Sequence, residues 1–323
     1  THEWLIHRYP EVSMDQPLVS VGIPTYNHPE SLRKTLECIT KQTYKNLEII
    51  VSDNCSPGTE TAAIVREFRV KDNRIQYYRQ DDNKGARFNF KYVLEAATGK
   101  YFMWVADDDK WNVNSITTFV EELEKDSEVS VVMSACKRVD ENDQLYDIVH
   151  NFNSPLDLNL TNPIKLTLDA STNYYWTYLI YGLFRTDYLK RTFKFAPDVF
   201  GSDVLFICHV LMSAKIFYVD NVYYIRKVHG RGTADRYANE KIGMQYSDPL
   251  KFYKMILSLG PYLMRSNLIP GKHKIWVPLI MLHMTLFQVA TDVKRIILCL
   301  ISTWKAKIGQ TRKWNQKFDE GKT

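Results

Sequence analysis

The stretch Tyr101-Phe102-Met103-Trp104-Val105-Ala106-Asp107-Asp108-Asp109 is the part of the chain that decides its fold. The apolar run is typical of a buried strand, and three adjacent carboxylates follow directly at its carboxyl end. Adjacent negative charges repel each other and must be solvated or given a cation, so this arrangement is costly for stability. Open α/β sheets bind their ligands at such strand ends. The alternative is an acidic turn in which Asp109 caps the next helix.

The chain around this strand alternates strands with helices. Apolar runs predict strands at Leu18 to Ile23, Leu47 to Ser52, Ile75 to Arg79, Tyr101 to Ala106 and Val129 to Ala135. Between them, spacing typical of helices occurs at Pro29 to Ile39, Thr61 to Val70 and Arg87 to Thr98. Strands that alternate with helices predict right-handed crossovers and a doubly wound, largely parallel sheet.

Three acidic clusters follow these strands directly. They are Asp53, Asp81-Asp82 and Asp107-Asp108-Asp109. Because the loops after parallel strands share one rim of a sheet, we expect the clusters to gather there. Carboxylates spaced Asp-x-Asp are hard oxygen ligands that suit magnesium or manganese carrying a phosphorylated substrate.

Composition is that of an ordinary globular protein, with 45% hydrophobic and 24% charged residues among 323. The five cysteines are scattered and odd in number, which favours free thiols in a reducing compartment over disulfides or a zinc site. The polar segment Thr1 to Gln16 does not resemble a secretory signal and is expected to be an N-terminal extension.

The net charge of +5 is concentrated near the end of the chain. Seven basic residues and no acidic one lie between Val293 and Phe318. They follow Ile275 to Thr291, which carries no formal charge and is too short for a comfortable transmembrane span. After Asp235 the pattern predicts helices, with breaks at Gly260-Pro261 and Pro270-Gly271. The apolar helix would pack on the main domain or lie on anionic lipid.

Several short motifs appear in a specific order. They are Val19-Ser20-Val21-Gly22-Ile23-Pro24-Thr25-Tyr26-Asn27, Leu47-Glu48-Ile49-Ile50-Val51-Ser52-Asp53, Asn83-Lys84-Gly85, the triple aspartate, Gly201-Ser202-Asp203, and Tyr224-Ile225-Arg226 with His229. Together they resemble the family 2 glycosyltransferases. The resemblance implies an α/β GT-A fold, Rossmann-like with a mostly parallel central sheet flanked by helices, and a C-terminal helical extension. The likeness runs from about Pro17 to Ala234, so we expect an N-terminal extension at 1–16, the catalytic domain at 17–235 and a C-terminal helical region at 236–323, which either packs on the domain or associates with the membrane.

The resemblance also assigns residues to the nucleotide. These are Pro24, Thr25, Tyr26, Asn27, Asp53, Asn83, Lys84, Asp107 and Asp108. A carboxylate at Asp53 can accept a hydrogen bond from a base N–H or a ribose hydroxyl. Its alternative role is to cap the helix after the Pro57-Gly58 turn.

The metal motif of the family, Asp-x-Asp, maps onto Asp107 and Asp109. Many members carry Asp-x-Asp-Asp instead, which would place Ala106 at the first acidic position. Asp109 holds the last acidic place in both registers, and His229 is a further candidate ligand. The resemblance implies Mn²⁺ or Mg²⁺, which would neutralise the diphosphate of the leaving group.

The resemblance makes Asp203 the general base, although Ser202 replaces the first residue of the family's acidic pair. The alternative is that Asp203 caps a helix from Val204 to Ser213. Arg226, His229 and Arg231 are expected to bind the diphosphate. Among the aromatic residues near position 176, Trp176 is the candidate acceptor contact, and the others are expected in the core.

These features predict a metal-dependent, inverting glycosyltransferase that uses a nucleotide-sugar donor. Its acceptor would be a glycan or a lipid-linked sugar in surface polysaccharide synthesis. Its expected location is cytoplasmic, either free or peripheral on the inner face of the cell membrane. One alternative is a sugar nucleotidyltransferase, which would normally carry a glycine-rich basic loop after the first strand. Another is a catalytically silent glycan- or lipid-binding protein of the same fold. Nucleic acid is not expected as a partner, because the basic residues lie on an apolar helix.

Overall fold

The computed structural model describes residues 16–140, 144–149, 162–171, 174–194, 196–227, 248 and 250–320. The strands are β1 (Val19–Thr25), β2 (Leu47–Asp53), β3 (Ile75–Arg79), β4 (Tyr101–Trp104), β5 (Lys110–Trp111), β6 (Val129–Val139), β7 (Leu145–Val149), β8 (Leu183–Arg185) and β9 (Lys215–Lys227). The first helices are α1 (Pro29–Thr40), α2 (Glu60–Lys71), α3 (Ala86–Ala96), α4 (Ser115–Lys125), α5 (Pro163–Ala170), α6 (Thr186–Lys194) and α7 (Ser202–Ser213). A 3₁₀ helix spans Tyr174–Tyr181, and the C-terminal helices are α8 (Lys251–Arg265), α9 (Gly271–Lys274) and α10 (Val277–Glu320).

One mixed sheet organises the protein. Its order is β3-β2-β1-β4-β8-β6-β9-β5, with β7 paired to β6. Strands β3, β2, β1 and β4 are mutually parallel, whereas β8 lies antiparallel between β4 and β6. The chain winds outward from β1 to β3 and then returns to the other side of β1 at β4. The carboxyl ends of β1 and β4 therefore form the switch point at which such sheets bind ligands.

The predicted strands and helices of the first half all exist, with ends shifted by at most a few residues. Strand β9 runs without a break from Lys215 to Lys227. The register of β9 against β6 jumps between Ser134 and Ala135, so the intervening residues bulge out without ending the strand.

A helix break predicted at Gly260-Pro261 is wrong. Helix α8 runs through both residues because Gly260 lies against Met281 of α10 and Pro261 is exposed, so the carbonyl it leaves unpaired can be solvated. The break predicted at Pro270-Gly271 is confirmed, since it separates α8 from α9.

Two hydrophobic clusters fill the interior of the described residues. The larger covers the sheet and is centred on Trp104, whose ring contacts Phe102, Phe184, Phe193 and Phe206. The smaller joins α5, α7, α8 and α10. Helix α7 contributes to both clusters, so the C-terminal helices pack on the sheet through it.

The free-thiol prediction is confirmed for the described cysteines. Cys38, Cys55, Cys136 and Cys208 are all unpaired. Burial raises the pKa of both Cys136 and Cys208 to about 12, so these two thiols stay protonated and pack as small apolar groups.

Candidate active site

Asp107 joins the loops that follow β1 and β4. Its Oδ2 accepts a 2.6 Å hydrogen bond from the Thr25 hydroxyl, and its Oδ1 lies 3.4 Å from Nδ1 of His28. Asp107 is buried and Asp108 beside it is half-buried. Thr25 and Asp107, both predicted at the nucleotide, thus lie together at the switch point of the sheet.

Asp109 has a buried carboxylate without a partner. It is 1% exposed, and neither carboxylate oxygen receives a hydrogen bond from the described residues. Burial raises its pKa to about 8, which Asp108 and Asp107 reinforce and Arg226 opposes. The Thr35 hydroxyl donates to the Asp109 backbone carbonyl at 3.1 Å and so fixes this turn.

The alternative that Asp109 caps the next helix is wrong. Helix α4 begins at Ser115 and its N-cap is Asn114, so Asp109 caps no helix. A buried, unpartnered carboxylate has no structural purpose in the described residues, and it fits a bound cation.

Strand β9 places Arg226 beside Asp109. Short strand β5, directly after the aspartates, pairs antiparallel with β9, with Trp111 opposite Tyr224. The two rings stack with centroids 4.7 Å apart, which fixes the register. Arg226 lies two residues beyond Tyr224 on the same strand, close enough for its charge to lower the pKa of Asp109.

Two tyrosine rings hold the Arg226 guanidinium. Its centre lies 5.6 Å from the ring centroids of both Tyr178 and Tyr181, and it donates a 3.4 Å hydrogen bond to the Tyr181 hydroxyl. Contacts with two aromatic rings restrict a side chain that is otherwise flexible. The cation is therefore held in position near the acidic turn.

Asp53 organises the loop after β2. Its carboxylate is fully buried; Oδ1 accepts from the Ser56 backbone N–H and Oδ2 from the Tyr77 hydroxyl, each at 2.8 Å. Arg79 lies 3.7 Å from Oδ2. The capping alternative is wrong, because the N-cap of α2 is Thr59. Contact between Asp53 and a nucleotide stays a prediction.

The other predicted nucleotide residues lie around the same rim. Asn83 and Lys84 are tied to it by Asn54, which donates to Asn83 Oδ1 at 2.8 Å and accepts from the Lys84 N–H at 3.0 Å. Asn89 donates to the carbonyls of Thr25 and Ser52, and so clamps the ends of β1 and β2 together.

The loop after β1 is also anchored. Pro24 is buried within β1, and Tyr26 is half-buried. Asn27 is exposed and adopts a φ of 56°, while its backbone N–H donates to the Ser56 hydroxyl at 2.8 Å. The turn is thereby held against the loop that follows Asp53.

Asp203 lies in the first turn of α7. This helix begins at Ser202 and its N-cap is Gly201, which adopts a left-handed φ of 71°, so the alternative that Asp203 is the N-cap is wrong. Asp203 is half-buried, and desolvation raises its pKa. A base with a raised pKa holds its abstracted proton better near neutral pH. No hydrogen bond links Asp203 to the rim residues within the described part of the chain.

Trp176 does not present a face to an acceptor. It is 3% exposed, and its indole N–H donates to Asp169 Oδ2 at 2.5 Å. We assign it a structural role, because a ring packed on both sides offers no surface for a sugar. His229 and Arg231 lie outside the described residues.

Sequence reasoning missed the residues that hold the candidate groups in place. Tyr178 and Tyr181 were expected only to fill the core, and Tyr77, His28 and Thr35 were not assigned. The position of His28 in the loop that follows β1 was a usable signal for it. The others contact their partners across long sequence separations, which no local pattern reveals.

A preformed metal cage is absent from the described residues, since no three His, Cys, Asp or Glu side chains converge there. Any cation would therefore take few protein ligands from this part of the chain. That suits Mg²⁺ or Mn²⁺ bound together with substrate phosphates and water.

Comparison with known proteins identifies the family. The model of "Glycosyl transferase family 2" matches residues 20–191, which contain β1 to β4, the acidic turn and β8. The chain belongs to glycosyl transferase family 2. Its fold is GT-A, as the resemblance implied.

Curated relatives match over limited lengths. A GalNAc(5)-diNAcBac-PP-undecaprenol beta-1,3-glucosyltransferase of Campylobacter jejuni is 33% identical over 106 residues, which are 32% of this chain and 34% of that protein. Glycosyltransferase GlyG of Streptococcus pneumoniae is 35% identical over 115 residues, 35% of this chain and 38% of that protein. The chain spans 20% to 56% of the length of several curated relatives that match it.

Solved structures share the fold. Residues 1–349 of S. aureus TarS, crystallised with UDP, superpose with a TM-score of 0.58 at 20% identity, covering 80% of this chain and 69% of that one. A structure of a longer TarS chain superposes with a TM-score of 0.58 at 19% identity, and the match covers 82% of this chain and 42% of that one. At this identity the likeness establishes the fold alone.

Proposed function

We propose that the protein is an inverting glycosyltransferase. It moves one sugar from a nucleotide-sugar donor to a hydroxyl of a glycan or lipid-linked acceptor in surface polysaccharide or glycoconjugate synthesis. The observation that carries this proposal is the buried, unpartnered Asp109 carboxylate beside Arg226, at the switch point of a family 2 sheet. Opposite charges placed there suit a diphosphate and its counter-ion.

A divalent metal, Mn²⁺ or Mg²⁺, fits the acidic turn. Asp109 would be its principal protein ligand, because neither of its oxygens accepts a hydrogen bond from the part of the chain that the structure describes. Asp107 would contribute less directly, since Thr25 and His28 already engage its oxygens, and His229 stays a predicted ligand. When bound, the metal would neutralise the donor diphosphate and make it a better leaving group.

The nucleoside is proposed to lie along the rim from Asp53 to Asn83. The backbone of the loops after β1, β2 and β3 is cross-tied by Asn54, Asn89 and Ser56, so hydrogen bonds within the protein hold the rim in place. Preorganised loops lower the entropic cost of binding. The structurally similar TarS was crystallised with UDP, which supports a nucleotide as the ligand of this fold here.

Asp203 is proposed to act on the acceptor. Its carboxylate would take the proton of the attacking hydroxyl, whose oxygen bonds to the anomeric carbon as the bond to the diphosphate oxygen breaks. A single displacement from the opposite face inverts the configuration. Arg226 would stabilise the negative charge that develops on the departing diphosphate, and Tyr178 and Tyr181 keep its guanidinium in place.

The C. jejuni relative is named for an undecaprenol-linked substrate, which supports a lipid-linked acceptor here. Such an acceptor is embedded in a membrane, so we propose that the enzyme works on the cytoplasmic face of the cell membrane. Residues 17–235 would form the catalytic domain, and 236–323 a helical region that associates with the membrane.

Thermal-shift titration with UDP, GDP, CMP and dTDP, each with and without Mn²⁺, tests the donor site. One nucleotide should stabilise the protein, and more strongly with the metal. Asp109→Ala should lose this metal effect. If none of the nucleotides binds in a metal-dependent way, the proposed site is contradicted.

Asp203→Asn tests the reaction. It should keep nucleotide binding and lower turnover by on the order of 10²–10⁴-fold, the usual contribution of a general base. Asp198→Asn, at a strongly exposed carboxylate near the same helix, is the matched control and should retain activity. Equal turnover by Asp203→Asn and wild type would overturn the role of Asp203 as the base. Absence of turnover in wild type would favour a silent binding protein, and pyrophosphate release from sugar phosphate and nucleoside triphosphate would indicate a nucleotidyltransferase.

A further inference from the structure

Helix α10 carries a wide apolar face that the rest of the described protein leaves exposed. Its members, here called the outer face, are each at least 43% exposed. They are Ile275 and Trp276 just before the helix, and Leu279, Leu282, Leu286, Phe287, Val289, Val293, Ile296, Ile297 and Leu298 within it. Contiguous apolar surface of this extent marks a site of interaction.

The opposite face of α10 packs on the protein body. Val277, Ile280 and Met284 are at most 3% exposed and belong to the cluster shared with α5, α7 and α8. Asp292 accepts from the Tyr253 hydroxyl at 2.9 Å, which ties the helix to α8 further along. The orientation of α10 is therefore fixed by the body, and the outer face points away from it.

Helix α8 extends the same surface. Tyr253 meets Asp292, and Gly260 meets Met281, so α8 and α10 run antiparallel side by side. Leu250, just before α8, and Leu257 and Met264 within it are more than half exposed and recur every seven residues, which places them on one side. Two neighbouring helices thus present apolar side chains outward.

Basic residues surround this surface. The flanking basic residues are Lys251, Lys254, Arg265, Lys272, Lys274, Lys294 and Arg295. The two carboxylates of this surface are already engaged, Asp248 by Lys254 and Asp292 by Tyr253 and Gln288. The backbone of α10 continues to Glu320, and that stretch carries Lys305, Lys307, Arg312, Lys313 and Lys317. Apolar surface bordered by positive charge is complementary to an anionic lipid surface.

We propose that the outer face of α10, with the exposed side of α8, docks on an anionic bilayer. The helix lies along the membrane, its apolar side chains among the acyl chains and its lysines and arginines at the headgroups. Residues Gly271–Leu298 are long and apolar enough to cross a membrane, but their inner face is packed on the water-facing body. If α10 lies flat on the membrane, its inner face stays packed on the body while its outer face contacts lipid.

A second copy of the chain fits this surface less well. A two-helix seam needs only a narrow apolar stripe, whereas the outer face runs from Trp276 and Phe287 on one side to Val289 and Ile296 on the other. Basic residues flank it with few acidic ones to pair with in a symmetric partner. The proposal is independent of the transferase chemistry.

Helix α8 connects the docking surface to the element that carries Asp203. Met255 of α8 packs against Gly201, since a Cβ built on that glycine would lie 2.2 Å from its Sδ. Gly201 starts the helix turn that presents Asp203. A docked α8 therefore touches the element that carries the proposed base.

Flotation of the full chain with vesicles tests the proposal. The protein should float with vesicles of phosphatidylcholine and phosphatidylglycerol, more weakly with phosphatidylcholine alone, and less at high salt. Leu282→Glu with Leu286→Glu should lower binding at least about tenfold. Lys294→Glu with Arg295→Glu should lower binding to the anionic vesicles by on the order of fivefold for each charge removed.

Val70→Glu, at a strongly exposed apolar side chain of α2, is the matched control and should bind as wild type does. Circular dichroism melting checks that every variant is folded.

Absence of wild-type binding, or unchanged binding by Leu282→Glu with Leu286→Glu, overturns the proposal. Equal binding to neutral vesicles overturns the role of charge, and resistance to alkaline carbonate extraction overturns the flat orientation. Dimerisation lost in the Leu282, Leu286 variant, without flotation, would identify a second copy instead. Nucleotide binding without vesicles should be the same throughout, so this test fails separately from the proposed function.

Discussion

Replacing Asp109 by asparagine should stabilise the metal-free protein, although it removes the proposed principal metal ligand. Burial raises the pKa of Asp109 from 3.8 to about 8. As the pH rises above 3.8, the unfolded state loses this proton before the folded state does, so folding becomes less favourable up to about pH 8. Each pH unit in this range lowers the free energy of unfolding by about 1.4 kcal/mol. Since pH 7 lies about three units above 3.8, the carboxyl group destabilises the folded state by about 4 kcal/mol at pH 7.

The expected gain is smaller than this figure. A buried asparagine amide without a partner keeps a desolvation cost of about 1–2 kcal/mol, so Asp109→Asn should raise the free energy of unfolding by about 2–3 kcal/mol. Asp53→Asn is the matched control, because the same change is made at a buried carboxylate that has partners. Its new amide nitrogen cannot accept from Ser56 or Tyr77, so this variant should lose about 1–3 kcal/mol.

Urea denaturation at pH 7 in the presence of a chelator measures both effects. The two substitutions should have opposite signs, although each replaces one buried aspartate by asparagine. With Mn²⁺ and the nucleotide added, wild type should gain stability and Asp109→Asn should not. A destabilised Asp109→Asn in chelator, or an undiminished metal effect in it, would refute the reasoning from its unpartnered carboxylate.

Three further predictions concern other elements. Arg226→Lys keeps the charge but loses the planar group that lies on two tyrosine rings, so steady-state kinetics should show kcat/KM for the donor lower by on the order of tenfold. Gly201→Ala must adopt a left-handed φ and meets Met255, so urea denaturation should show about 1–3 kcal/mol less stability. Burial lowers the pKa of His209 from 6.5 to about 4, so its stabilisation is complete above pH 6.5 and is lost as the pH falls towards 4, at about 1.4 kcal/mol per unit. The variant His209→Gln should lack that dependence in denaturation curves across this range.

The strand-helix alternation could be predicted because it depends on local patterns. Apolar runs bounded by turn residues located β1 to β4, and parallel strands send their following loops to one rim. That is why Thr25 and Asp107 could be expected at the same place before any contact was known, and the 2.6 Å hydrogen bond between them agrees. Family membership likewise follows from motif order in the sequence.

Helix ends and strand continuity were less predictable. Asp203 and Asp53 were each a reasonable helix cap by residue type, yet Gly201 and Thr59 take those positions. A cap depends on backbone dihedrals set by tertiary packing, such as the contact of Gly201 with Met255. Pro261 was expected to end a helix, but solvent exposure and the close approach of α10 let the helix continue.

By itself the sequence determined the family, the order of the first strands and which aspartates share a rim, because these depend on residue type and short-range periodicity. Only the tertiary structure decided that the Asp109 carboxylate accepts no hydrogen bond from the described residues while each oxygen of Asp53 accepts one, that Arg226 lies against two tyrosine rings, and that α10 buries one face and exposes the other. Those properties arise from contacts between residues far apart in the chain. Burial and hydrogen-bond satisfaction belong to the assembled fold, and no local pattern carries them.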